Sequence, residues 1–210
     1  MDRLCRVVLA LLIGSLVARA DGPADNIPDQ VRPVPPVGIT VPAERRKGLE
    51  ERLEGLNQAI RSLESKGDPA TIALLPDVKI FSRAVHEALA YGEFFAPADL
   101  DRADALLAEG RERAEQLLKG EAPWTRRTGL VVRGYTSKID GSVQPYGLVV
   151  PDSYNSAGKD RYRLDIWFHG RGETLSEVNF LAQRSKQPGE FTPADTIVLH
   201  PYGRYCNAFK

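Results

Sequence analysis

Four consecutive residues offer the most chemistry in this sequence: His169-Gly170-Arg171-Gly172, set directly after an apolar run that ends in Trp167-Phe168. Glycine at the end of a strand lets the chain turn with its N–H groups aimed into the crevice at the strand's carboxyl end. That is where open α/β sheets bind ligands. N–H groups so placed can stabilise a negative oxygen during acyl transfer. The plainer reading of the tetrapeptide is a glycine-rich turn between strand and helix, with a histidine that serves the core.

Other chemistries fail on spacing. Gly170-x-Gly172 has no third glycine at the dinucleotide interval, and no Walker loop occurs. His86-Glu87 lies in a helical stretch, but Ala90 stands where a zinc protease has its second histidine. His86 therefore reads as a helix-surface or interface residue, and His200 as a structural residue at a strand end. The three histidines are far apart, and two cysteines cannot make a disulfide scaffold. No metal and no cofactor is expected. Arg126-Arg127 and Glu44-Arg45-Arg46-Lys47 read as solvated charge runs.

The elements that would position the turn can be read from hydrophobic period. Leu49, Leu53, Leu56, Ile60 and Leu63 step by four and three, which predicts a helix over 42–66 ended by Gly67-Asp68-Pro69. A second helix follows Pro76, with Val78, Phe81, Val85 and Leu89 on one face. A third begins at Pro97-Ala98-Asp99, with Leu100, Ala103, Leu106, Leu107, Leu117 and Leu118 along it, and stops at Gly120. Residues 42–120 are thus expected to be a small all-α unit. From Trp124 the period shortens to two. Residues 129–135 and 144–150 read as a hairpin around Asp140-Gly141. Residues 162–168 read as a third strand, 174–185 as a helix and 196–199 as a fourth strand. A β-hairpin, β, α, β order makes the fold class α/β, with one parallel pair.

The hairpin, the strand closing in Trp167-Phe168-His169-Gly170, the helix, and the strand closing in His200-Pro201-Tyr202-Gly203-Arg204 together resemble the α/β-hydrolase fold over residues 124–210. Secreted bacterial esterases and prolyl-oligopeptidase-like hydrolases are the most similar members. In that family the loop after a strand ending in His-Gly supplies part of the oxyanion hole. The resemblance assigns this role to His169, Gly170 and Arg171, and places Pro201 to Tyr205 along the pocket. It also implies a Gly-x-Ser-x-Gly nucleophile elbow, an acid and a histidine base; no such elbow occurs in this sequence. The expectation is an N-terminal portion of a serine-type hydrolase of esters or peptides, inactive alone. Its third strand should have one edge open, inviting self-association. The alternative is a non-catalytic secreted binding module that uses the helical unit.

The N-terminus reads as an address. Asp2, Arg3 and Arg6 precede the uncharged run Val7 to Val17, and Ala18-Arg19-Ala20 follows. This is the three-part pattern of a cleaved signal peptide, residues 1–20, and it implies a secreted or periplasmic protein. The run is too short to span a membrane as an anchor. Cleavage removes three arginines and one aspartate, leaving 25 basic and 27 acidic residues and Cys206 as the remaining cysteine. Residues 21–41 form a proline-rich linker, since residues 21–42 hold six of the fifteen prolines. Equal totals of 28 basic and 28 acidic residues speak against a nucleic-acid partner. With 42% hydrophobic residues the chain can bury a core.

Overall fold

The computed structural model describes Ile27 and residues 33–205. The expected signal peptide (residues 1–20), most of the proline-rich segment, and Cys206 lie outside these residues.

Helix α1 (Ala43–Lys66) buries Leu49, Leu53, Leu56, Ile60 and Leu63, the stripe expected from their spacing, and ends at Gly67 in the left-handed conformation. A one-and-a-half-turn helix, α2 (Pro69–Leu74), follows at once and was not legible from hydrophobic period. Asp68 starts it by accepting from the Thr71 N–H at 2.9 Å. Helix α3 (Pro76–Tyr91) buries Val78, Phe81, Val85 and Leu89, and also Ile80, Ala84 and Ala88. Its apolar face is wide because neighbours surround it: it touches α1, the sheet, and α4 (Pro97–Leu118). The Asp99 carboxylate in the first turn of α4 accepts from the Phe95 and Ala96 N–H groups at 2.7 and 3.0 Å.

A 3-10 turn (Pro123–Arg126) leads into β1 (Gly129–Thr136), which pairs antiparallel with β2 (Val143–Val150). Gly141 in the connecting turn takes φ 72°, a conformation glycine adopts without a Cβ clash. Then come β3 (Arg163–Ile166), α5 (Glu177–Arg184) and β4 (Thr196–Pro201). The sheet order is β1-β2-β4-β3; β4 is antiparallel to β2 and parallel to β3. The class is α/β, with a small mixed sheet.

Two expected elements are shorter in the structure. The third strand was expected over 162–168, but the ladder runs from Arg163 to Ile166, with one further bond from the Trp167 N–H to the Leu199 carbonyl at 2.9 Å. Phe168 is apolar without a backbone bond to β4, so apolarity alone overstated the strand. The helix expected over 174–185 begins at Glu177, because Ser176 takes the N-cap position and accepts from the Asn179 N–H.

The helices and the sheet share one apolar core, running from Leu49 through Phe81 and Leu107 to Val132, Phe180 and Leu181. Among the described residues, 34–205 form one compact unit. The segment 120–124, where the sequence suggests a join, carries Trp124 into that core at 5% exposure. The indole N–H of Trp124 donates to Asp77 Oδ2 at 2.9 Å. Arg133 Nε and the Gly134 N–H donate to the same carboxylate at 2.8 and 2.7 Å. Buried Arg113 of α4 lies between the Phe81 and Trp124 rings, 4.8 and 5.2 Å from their centroids. Its Nη1 donates to the Val132 carbonyl at 2.9 Å. Burial holds its guanidinium below the usual arginine range, against the opposing charges of Glu109 and Asp77.

Helix and sheet approach each other closely at Gly134 and Gly147. A Cβ on Gly134 would lie 2.2 Å from the Pro76 carbonyl oxygen, so only glycine admits α3 there. A Cβ on Gly147 would meet the Arg184 side chain at 2.8 Å. The register places Gly134, Val132, Gly147, Val198 and His200 on one face, so α3 and α5 cover the same side of the sheet. Leu148, Leu199, Ile197, Leu164 and Ile166 occupy the opposite face.

Candidate active site

The His169 turn leaves the carboxyl end of β3 and leads to the N-terminus of α5. It is held from three sides. The Gly203 N–H, just beyond β4, donates to His169 Nε2 at 3.0 Å. Nε2 therefore carries the lone pair, and the ring proton sits on Nδ1, which donates to the Gly170 carbonyl at 2.8 Å. The Gly172 N–H donates to the Tyr205 carbonyl at 3.3 Å, and Arg171 pairs with Glu173 at 2.9 Å. Beneath the turn, the Tyr202 ring lies 4.9 Å from that of Phe180, and its hydroxyl donates to the Leu175 carbonyl at 2.9 Å. Burial pushes the Tyr202 phenol up, so it remains a donor at neutral pH. Tyr202 and Tyr205 thus support the turn, which brings the 201–205 segment beside it.

Gly170 stands in open space: a Cβ there would meet nothing within 4 Å. Among the described residues neither the Gly170 nor the Arg171 N–H has a backbone acceptor. Two neighbouring donors without internal partners, at the end of a parallel strand, can receive an oxygen that gains negative charge.

Two clefts flank the turn. One, of about 610 Å³, runs between residues 169–175 and the outer face of α5. The other, of about 540 Å³, lies between the turn and the 187–190 segment and reaches His200. Trp167 and Phe168 line this second cleft, and Trp167 stacks on Phe191 at 5.3 Å with 15° between the rings.

His200 is buried under α5, with Nδ1 3.3 Å from Arg184 Nη1. Arginine only donates, so Nδ1 accepts. Burial and the Arg184 charge together lower the His200 pKa, which keeps the ring neutral. It lies at the end of β4, the strand-end position that the sequence suggests. His86 is exposed on α3, 3.7 Å from Glu87. No group of three or more metal-ligating side chains occurs among the described residues, and no described helix is long and apolar enough to cross a membrane.

Glu177 escaped the sequence reading. It opens α5, is buried, and has Oε1 3.3 Å from Arg83 of α3, while Oε2 finds no partner. Burial pushes its carboxyl up to about 7 against the attraction of Arg83, and Glu87 adds to the rise. Only its place in the helix's first turn was visible in sequence, and that position ordinarily favours the charged form. No family model, curated protein or solved structure matches this chain.

Proposed function

We propose that residues 129–205 are the first half of an α/β-hydrolase sheet, and that the chain is the N-terminal portion of a secreted serine-type hydrolase of esters or peptides. His169, Gly170 and Arg171 form its oxyanion loop. One observation carries the reading: the apolar surface beside the His169 turn is uncovered. Leu164 and Ile166, on the sheet face away from α3 and α5, are 55% and 54% exposed, and Phe168 is 75% exposed. Parallel strands are ordinarily buried on both faces, because crossover helices cover each side. A further strand beside β3 and a helix over its bare face would bury these residues. In the α/β-hydrolase family the third strand lies between the fourth and a fifth; here β3 pairs with β4 alone among the described strands.

The chemistry follows from the turn. A serine on the strand that completes the sheet would attack the substrate carbonyl, and the Gly170 and Arg171 N–H groups would receive the oxygen as it becomes negative. His169 is not the base, because its Nε2 lone pair is taken by Gly203 and its proton by Gly170. Its task is to hold the donors still. The base and the acid belong to the segment that carries the serine.

The test has two arms. The 210-residue chain should hydrolyse p-nitrophenyl acetate no faster than a denatured control, and a fluorophosphonate should label none of its serines. A continuing reading frame that encodes Gly-x-Ser-x-Gly should produce activity. In that longer protein Gly170→Pro should lower kcat roughly 10²–10³-fold. A labelled serine in the 210-residue chain, unrelated sequence beyond codon 210, or an unchanged kcat in folded Gly170→Pro would overturn the proposal. Unrelated sequence would favour a secreted binding module.

A further inference from the structure

We infer that the 610 Å³ cleft beside the His169 turn selects substrates that carry a carboxylate or comparable anion close to the bond to be broken. This deepens the hydrolase reading and rests on it for the word substrate. The cleft collects cations from three separate places: Arg102 of α4, Arg171 of the turn, and Lys186 just beyond α5. No aspartate or glutamate lines it, although the whole chain has 28 acidic residues for 28 basic ones. The charged side chains that line the cleft are therefore all cationic, while Asp99 and Glu173 pair two of them from outside it.

The three cations differ in how they are held. Arg102 Nη1 is anchored to Asp99 Oδ1 and to Asn179 Oδ1, the latter at 2.7 Å. Asp99 is buried at 1% exposure and already accepts the Phe95 and Ala96 N–H groups, so it fixes the guanidinium from below. Arg171 is paired with Glu173. Lys186 has no carboxylate within ion-pair distance among the described residues, so its charge is the uncompensated one. A concave wall with low-dielectric sides focuses such a charge on whatever enters. Gly170 and Arg171 line the same cleft, and their N–H groups add donors of the same sign. An ester or peptide with an acidic group next to its scissile carbonyl would meet Lys186 and Arg102 while its carbonyl oxygen reaches the turn.

The probe is succinate, with succinamide as its neutral counterpart, titrated into the full 210-residue chain at ionic strength held constant with sodium chloride. Two-dimensional amide NMR is the readout. Succinate should shift the Gly170, Gly172 and Asn179 amides saturably, and succinamide should not. Lys186→Gln, a change at a loop position, should weaken succinate about tenfold, and Arg171→Gln should weaken it further. Equal responses to the two probes, shifts spread over the whole surface, or unchanged affinity in Lys186→Gln would overturn the inference. Binding does not need the serine. A chain that binds succinate but shows no hydrolysis when extended would therefore sink the hydrolase reading alone, and an extended enzyme indifferent to substrate charge would sink this inference alone.

Discussion

The Gly203 N–H and the His169 imidazole meet at 3.0 Å across 34 residues of sequence, and this bond ties the loop after β3 to the loop after β4. It also selects the tautomer: a ring that accepts at Nε2 must carry its proton on Nδ1. The His169 side chain therefore works as a clamp on the turn that presents Gly170.

His169→Ala should remove the Nε2 acceptor of the Gly203 N–H and loosen Gly170. A net loss of about 1 kcal/mol is expected, the usual worth of one such hydrogen bond. Hydrogen exchange at Gly203 should speed up far more than exchange at Val198 inside β4. Equal acceleration at both positions would mean that the histidine supports the whole sheet and not the turn.

Asp77 joins the helices to the sheet, accepting from Trp124, Arg133 and Gly134 in a site 1% exposed. Asp77→Ala would strand a buried indole N–H and an arginine whose ion pair is gone. Breaking a buried pair of this kind costs roughly 3–5 kcal/mol. Urea unfolding should show that loss. In the parent chain, tryptophan fluorescence and helical circular dichroism should fall in one coincident transition, since the shared core couples α1–α4 to β1–β4. Two separated transitions would show that the helices fold as a unit of their own.

Much of this architecture is written in local patterns, and the site is not. The α1 stripe from Leu49 to Leu63 repeats with the helical period, and Asp140-Gly141 marks a hairpin by turn chemistry alone. Both need only neighbours in sequence. Arg113 defeats such reading: beside Glu109 on α4 it looks like a solvated i, i+4 pair, yet it is buried between two aromatic rings brought together by tertiary packing. The His169-Gly170 turn was visible as a motif, but its clamp, Gly203, and the cations of its cleft, Arg102 and Lys186, come from distant parts of the chain. Burial of Glu177 was equally hidden, because a glutamate in a first helical turn is ordinarily solvated.

Glu177 should make stability depend on pH near neutrality. Its folded pKa, about 7, lies above the ordinary value of 4.5, so the folded chain binds the proton more tightly than the unfolded chain. The contribution is fully present below pH 4.5 and is lost as pH rises through about 7. The difference amounts to at most about 3 kcal/mol. Glu177→Gln keeps the shape and removes the titration. Its Tm should therefore exceed the parent's at pH 8 and match it at pH 4.5. A constant offset between the two proteins across that range would refute the assignment.

The bare side of β3 should govern association of the 210-residue chain. Leu164 and Ile166 project from the uncovered face, and Trp167 and Phe168 extend the apolar strip to 40% and 75% exposure at the mouth of the site. Each half-exposed leucine or isoleucine that a second surface covers is worth roughly 1 kcal/mol, about half the value of complete burial. Main-chain groups along the free edge of β3 add a pairing template. The sedimentation coefficient of the parent should rise with protein concentration. Leu164→Lys with Ile166→Lys should hold it constant, since two ammonium groups on adjacent outward positions repel an incoming copy. These positions are exposed, so the double variant should keep its circular dichroism and an unfolding free energy within about 1 kcal/mol of the parent. A parent that stays monomeric throughout, or a double variant that associates as strongly, would show that another surface mediates contact and that this face tolerates water.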